Sequence, residues 1–216
     1  MANSVVRLGG ARVPTALAVL GLCGLAMVGG SNTVLFCIAG AASARHEDRA
    51  DAVRHWAAVP GLAGAALQAS LTSLADTTDI DGARTRADLL SALLAVKPSS
   101  SMNWLALAGM LLAAGQPTEK VLAALAMSSL TGANQGDVMS QRGILGLLKW
   151  EILPPDVRRR AVADMAGAIL GNTITNRERS VVERIMEIKS PDTRQEIVAL
   201  FRAEGLAARD LARIGL

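Results

Sequence analysis

The stretch "LLAVKPSSSMNWLALAGMLLAAGQP", Leu93 to Pro117, places a proline six residues before a tryptophan and follows that tryptophan with an almost wholly apolar helix. Met102 to Ala114 is 13 residues long. This is too short for a membrane helix, which needs about 20 apolar residues. A helix that is apolar on nearly all sides must be covered by neighbours on both flanks. The stretch therefore predicts a core helix within a stack of helices.

The chain after Arg45 predicts further helices separated by short breakers, and no segment alternates apolar and polar residues as a strand would. Ala and Leu supply most of the 51% hydrophobic content and aromatic residues only 2%, which favours close-packed helices. Thr175 and Glu178 have the spacing of a capping box, and Ser190-Pro191 has that of a cap followed by a first-turn proline. We predict an all-α domain over residues 45–216, built from antiparallel helical hairpins.

The segment from Val13 to Ala44 contains no charged residue and is long enough to cross a bilayer. We predict a basic tail over residues 1–12, containing Arg7 and Arg12, and a transmembrane helix within residues 13–44. The alternative is a cleaved secretory signal that ends at the A-x-A sequence of residues 42–44.

The orientation of this anchor depends on the flanking charges. The signal-like layout favours a single-pass inner-membrane protein with a periplasmic domain. A cytoplasmic domain stays open as an alternative, because Arg45, Arg49 and Arg54 follow the anchor and the positive-inside rule counts basic residues. Both cysteines, Cys23 and Cys37, lie within the apolar segment and leave the redox compartment undecided.

The opening stretch resembles the tetratricopeptide repeat (TPR). That repeat has a Trp-like position, Leu three residues later, a small residue next, a large residue three further on, and a proline that closes the preceding repeat. The corresponding residues are Trp104, Leu107, Ala108 and Leu111, with Gly115 at the turn and Pro98 at the end of the preceding repeat. The resemblance covers one repeat and implies a TPR-like α-solenoid that binds a protein partner.

The second helix of this repeat departs from the pattern, since Lys120 and Met127 replace small residues and Gly132 replaces the closing proline. The sequence from "NWLALA" at residue 103 to "LPPDVRRR" at residue 160 is also similar to helical-repeat proteins of bacterial envelope polysaccharide systems. That similarity implies an accessory subunit of an exopolysaccharide assembly or export machine.

The chain lacks the motifs of known catalytic, cofactor and metal sites, including G-x-S-x-G, the P-loop and the dinucleotide-binding glycine motif. We therefore predict no enzyme activity, no cofactor and no metal. An enzyme using isolated acids such as Asp88 or Asp137 is the rival hypothesis. The net charge of +3, with acids and bases interleaved, argues against binding to nucleic acid.

Five polar residues are candidates for binding a partner on the helical scaffold: Asn103, Asn134, Gln135, Gln141 and Arg142. On a repeat scaffold such side chains would bind the backbone or carboxylates of an extended peptide. The leading hypothesis is a membrane-anchored scaffold for protein–protein interaction in the cell envelope, whose partner is another membrane or envelope protein. The polysaccharide accessory subunit is the alternative.

Overall fold

The computed structural model describes residues 63–73 and 79–216 of the chain, which divides into two compact units, residues 1–76 and 77–216. In the first unit Ala63–Ser73 forms helix α1, which buries Leu67 and Leu71 on one side and exposes Gln68. The predicted tail, anchor and boundary at residue 45 lie outside the described residues. None of the helices in the two described ranges has the length and apolar character needed to cross a membrane.

Residues 79–216 form eight α-helices and one short 3-10 helix, and neither described range contains a β-strand. The helices are α2 (Ile80–Val96), α3 (Ser101–Ala113), α4 (Thr118–Thr131), α5 (Gly136–Leu148), α6 (Pro155–Leu170), α7 (Asn176–Ile188), α8 (Pro191–Ala203) and α9 (Ala208–Ala212), with the 3-10 helix at Trp150–Ile152. The predicted all-α fold is confirmed for these residues.

Side chains and prolines fix the helix starts. The Asp79 carboxylate accepts a hydrogen bond of 2.8 Å from the Gly82 amide at the start of α2. Thr175 and Glu178 form the predicted capping box of α7, and the Ser190 hydroxyl caps α8 just before a proline. Such caps satisfy amide groups that have no partner within the helix. They explain why these boundaries could be predicted from local sequence.

The helices of the second unit form two layers. Along the chain α2 packs on α3, α3 on α4, and α5 on α6. The odd-numbered helices α3, α5 and α7 also contact one another in series, and α6 contacts α8. This is a helical-repeat-like architecture, in which each hairpin packs against the next.

Helices α5 and α6 pack closely against each other, and glycines allow their approach. Gly143 and Gly146 lie one turn apart on α5 and face α6. A Cβ atom at Gly143 would lie 2.8 Å from the Met165 Cβ, and one at Gly146 would overlap the Ala161 Cβ. Real Cβ atoms essentially never approach other atoms this closely. The axes of α5 and α6 are therefore closer than larger side chains at these two positions would permit.

A core cluster runs from α5 to the last helix. Ile197 and Phe201, which the helical pattern of residues 191–204 predicts as core residues, are fully buried in it. Trp150 is also buried, and its indole N–H donates to Glu196 at 3.1 Å. The sequence also predicts an apolar stripe on α5, formed by Val138, Leu145, Leu148 and Ile152. Val138 is buried, but Leu148 and Ile152 are 43% and 52% exposed, and Ile152 lies beyond the end of α5, in the 3-10 helix.

Replacing Gly146 with Ala tests the close approach of α5 and α6. We expect Gly146→Ala to lower the free energy of unfolding by about 1 to 3 kcal/mol, as overpacking does in cores. Gly109→Ala is the matched control, because a Cβ at this helical glycine meets nothing within 4 Å. It should raise stability by up to about 1 kcal/mol through helix propensity. Urea unfolding of the full chain measures both, and equal effects of the two changes would contradict the packing.

Candidate functional site

Two open grooves separate the even-numbered helices α2, α4 and α6. The first, between α2 and α4, has a volume of about 580 Å³, and the second, between α4 and α6, of about 360 Å³. Helix α3 forms the floor of the first groove and α5 that of the second. These concave surfaces are the candidate binding sites of the described residues, since ligands and peptide segments occupy clefts of this size.

Trp104 lies on the floor of the α2–α4 groove and is half-buried. Its indole N–H donates a 2.7 Å hydrogen bond to the carbonyl of Pro98, which fixes the ring of this α3 residue against the turn before the helix. Leu107 and Leu111 continue the floor one and two turns further along α3. The tryptophan and proline of the opening stretch therefore act together, and the groove has an apolar floor that begins with a fixed aromatic ring.

The walls of the α2–α4 groove carry few charges. Helix α2 contributes the charged residues Arg84 and Asp88, and α4 contributes Lys120 together with the uncharged Met127. Arg84 forms an exposed ion pair of 3.3 Å with Asp81, a kind of contact that contributes little to stability. Lysine, arginine and aspartate at the rim leave hydrogen-bonding groups of both signs available to a bound segment.

The α4–α6 groove has a different floor, which contains a buried ion pair. Arg142 of α5 is 3% exposed and Asp164 of α6 is 12% exposed. The guanidinium binds the carboxylate with two hydrogen bonds, Nε to Oδ2 at 2.8 Å and Nη2 to Oδ1 at 2.9 Å. This fork-to-fork geometry is the strongest form of such a pair.

The same arginine also closes the end of α4. Its Nη1 donates to the carbonyl oxygens of Ser128, at 3.1 Å, and Gly132, at 3.2 Å. Each of these carbonyls also accepts a backbone amide, Ser128 from Gly132 and Gly132 from Gln135, so the guanidinium adds a second hydrogen bond to each at the end of α4. One side chain thereby connects α4, α5 and α6.

A second polar chain supports this joint. The Ser128 hydroxyl donates to the Ser101 carbonyl at 2.9 Å, and the Ser101 hydroxyl donates to the side-chain carbonyl of Gln135. Ser101 and Ser128 are buried. The start of α3, the end of α4 and the turn before α5 are therefore held by side-chain hydrogen bonds as well as by apolar packing.

The structure links two of the five predicted partner-binding residues, because Gln135 is joined to Arg142 through Ser101 and Ser128. Asn103 is half-buried in α3, Asn134 and Gln135 are exposed in the turn between α4 and α5, and Gln141 is exposed on α5; none of these four lines either groove. Arg142 does line the α4–α6 groove, where its buried guanidinium donates to Asp164 and to two carbonyls. Partner binding by these five residues stays a prediction.

The α2–α4 groove is also lined by Ser91, Lys120 and Met127, which the sequence does not indicate as partner-binding residues. Asp88, named as a possible catalytic acid, is the only carboxylate of this lining, and Asp137 lines neither groove. A usable signal was present in α4, whose residues from Val121 to Thr131 carry no charge although the helix borders both grooves.

The carboxylates of Glu178 and Glu151 connect the two ends of α7 to α5 and to the 3-10 helix. At its start, Glu178 accepts hydrogen bonds from the Ser140 hydroxyl at 2.6 Å and from the Thr175 amide at 2.8 Å. Burial raises the pKa of the Glu178 carboxyl, but the hydrogen bonds from Ser140 and Thr175 outweigh burial and hold the pKa below its ordinary value of 4.5. The ionised form of Glu178 is therefore the one that joins α7 to α5.

At the end of α7, the buried ammonium group of Lys189 donates to both carboxylate oxygens of Glu151, at 2.8 and 3.0 Å, and to the Leu148 carbonyl at 3.3 Å. The Lys189 hydrogen bonds hold the pKa of the Glu151 carboxyl below its ordinary value. Both ends of α7 are thus fixed by ionised glutamates.

No group of three or more His, Cys, Asp or Glu side chains within residues 63–73 and 79–216 is placed to hold a metal ion. No family model, curated protein or solved structure matches this chain. The similarities to the tetratricopeptide repeat and to envelope polysaccharide proteins therefore stay predictions, and the grooves must be interpreted from their own chemistry.

Removing one partner of the Arg142–Asp164 pair should destabilise the protein strongly. We expect Arg142→Met or Asp164→Leu alone to cost about 3 to 5 kcal/mol, because each leaves buried polar groups unpaired. The double variant should cost clearly less than the sum, since no charge then stays buried alone. Urea unfolding of the four proteins measures the coupling, and simply additive costs would show that the pair is not a unit.

Stability should fall in acid because of Glu178 and Glu151. A carboxyl whose pKa is lowered by folding stabilises the native state fully above its unfolded pKa, and this stabilisation is lost as the pH falls through the folded pKa. We expect Glu178→Gln to reduce the loss of unfolding free energy between about pH 6 and pH 3. Denaturant unfolding at several pH values measures this. An unchanged pH dependence would contradict the assigned hydrogen bonds, and Ser140→Ala should give a smaller change in the same direction.

Proposed function

We propose that this chain is a membrane-anchored, non-enzymatic scaffold of TPR-like helical hairpins that holds a protein partner at the bacterial cell envelope. The single observation that supports this most is the α2–α4 groove, with a fixed tryptophan on an apolar floor and separate polar groups on its rim. The proposed anchor rests on the charge-free segment of residues 13–44.

The chemistry of the groove suits a segment of protein. Tryptophan is among the residues that most often dominate binding energy at protein interfaces, especially where the surrounding contacts exclude water. Trp104 is already held by Pro98, so little side-chain freedom is lost when a partner covers it. Arg84, Asp88 and Lys120 on the rim would then orient the segment through hydrogen bonds.

Met127 offers a wall that can adapt to its occupant. Its side chain is half-buried and lines the groove from α4. Methionine is unbranched and polarizable, so it fits differently shaped apolar partners. A partner side chain placed between Trp104 and Met127 would be enclosed from two sides.

Photo-crosslinking in living cells tests the proposal. A benzophenone amino acid at Met127 or Lys120 of the full chain should yield a protein adduct, whereas the same amino acid at Gln195, an exposed position of α8, should not. Adding Lys120→Glu to the Met127 probe should reduce the adduct several-fold, because it reverses a rim charge without removing a buried group.

Circular dichroism of each variant controls for folding. Adducts of equal yield at Met127 and Gln195, or adducts that contain no protein, would contradict a partner bound in this groove. Trp104→Ala provides a second variant, since the loss of the aromatic floor should reduce the adduct while the far core of α6 to α9 stays folded.

A further inference from the structure

Helix α4 presents an uncharged surface on the side that faces α6. Leu122, Leu125 and Ala126 line the α4–α6 groove and are half-buried, and Leu130 near the end of the helix is 78% exposed. No charged residue interrupts the helix from Val121 to Thr131. A contiguous apolar surface of this kind is characteristic of sites where proteins associate.

The opposite wall of the groove is formed by the start of α6 and the residues before it. Leu153, Pro154 and Val157 extend the apolar lining, and the rim carries two exposed charges, Asp156 and Arg160, one turn apart. Neither of these two side chains takes part in a salt bridge among the described residues. The face therefore combines an apolar ridge, a groove with largely apolar walls above the Arg142–Asp164 pair, and one unpaired charge of each sign.

We propose that a second copy of this chain docks on this α4–α6 face, forming a two-fold symmetric dimer in which Asp156 of each copy lies beside Arg160 of the other. A two-fold interface uses the same surface on both subunits, so that surface must complement itself. The α4 ridge of one copy would pack into the groove of the other, whose walls are also largely apolar. Residues 121–131 of α4 are uncharged, so they would bring no like charges into contact.

Charge complementarity favours a second copy over an unrelated acidic or basic partner. A partner of one charge sign would meet either Asp156 or Arg160 with a like charge, which is unfavourable at an interface. A two-fold axis near these residues pairs each charge with its opposite twice. The inference does not depend on the proposed function, because it concerns the other groove.

The test is the mass of the full chain in detergent, measured by sedimentation over a range of concentrations. We expect a dimer for the natural sequence and a monomer for Ala126→Arg, which places a charge in the apolar groove. Ala199→Arg is the matched control, because Ala199 is an exposed helical alanine of α8 outside the face, and it should stay dimeric.

Charge reversal gives a test that leaves the core intact. Asp156→Arg and Arg160→Asp, each alone, should weaken the dimer about tenfold or more, because each brings like charges together across the axis. The double variant should restore the dimer, since it exchanges the two signs on both copies. A monomeric natural chain, a dimer unaffected by Ala126→Arg, or a double variant as weak as the single ones would overturn the proposal.

Discussion

The ion pair between Arg142 and Asp164 holds together three helices of the described fold. The arginine of α5 binds the α6 carboxylate through Nε and Nη2 and donates to two carbonyls at the end of α4. An isolated charge in such surroundings would be very costly, and here each guanidinium nitrogen has an acceptor. The pair thereby joins α4, α5 and α6, and the α4–α6 groove lies over this joint.

Small residues make this arrangement possible. Gly143 and Gly146 let α5 approach α6 more closely than any side chain would allow, and Arg142 sits beside them on the same helix. The close approach of α5 and α6 buries the Arg142 guanidinium, and its hydrogen bonds to Asp164 in turn hold the two helices together. Helices α3, α5 and α7 contact one another in series, while open grooves lie between α2 and α4 and between α4 and α6. Apolar packing and the Arg142–Asp164 ion pair together determine how these helices pack.

Much of the fold could be predicted from local sequence, because helix starts depend on residues close together in the chain. The Thr175–Glu178 capping box and the Ser190–Pro191 start of α8 are both formed as predicted. The candidate site could not be predicted in this way. Arg142 has only uncharged neighbours in sequence; its partner Asp164 lies 22 positions away, and only the close packing of α5 on α6 brings the two together. Grooves between helices that are not consecutive leave no local periodic signal.

The contact between α6 and α8 sets a limit on what this surface can accommodate. Grooves open on both sides of α4, whereas α8 contacts α6. A segment that crossed the even-numbered helices would meet these two grooves first and then the contact between α6 and α8.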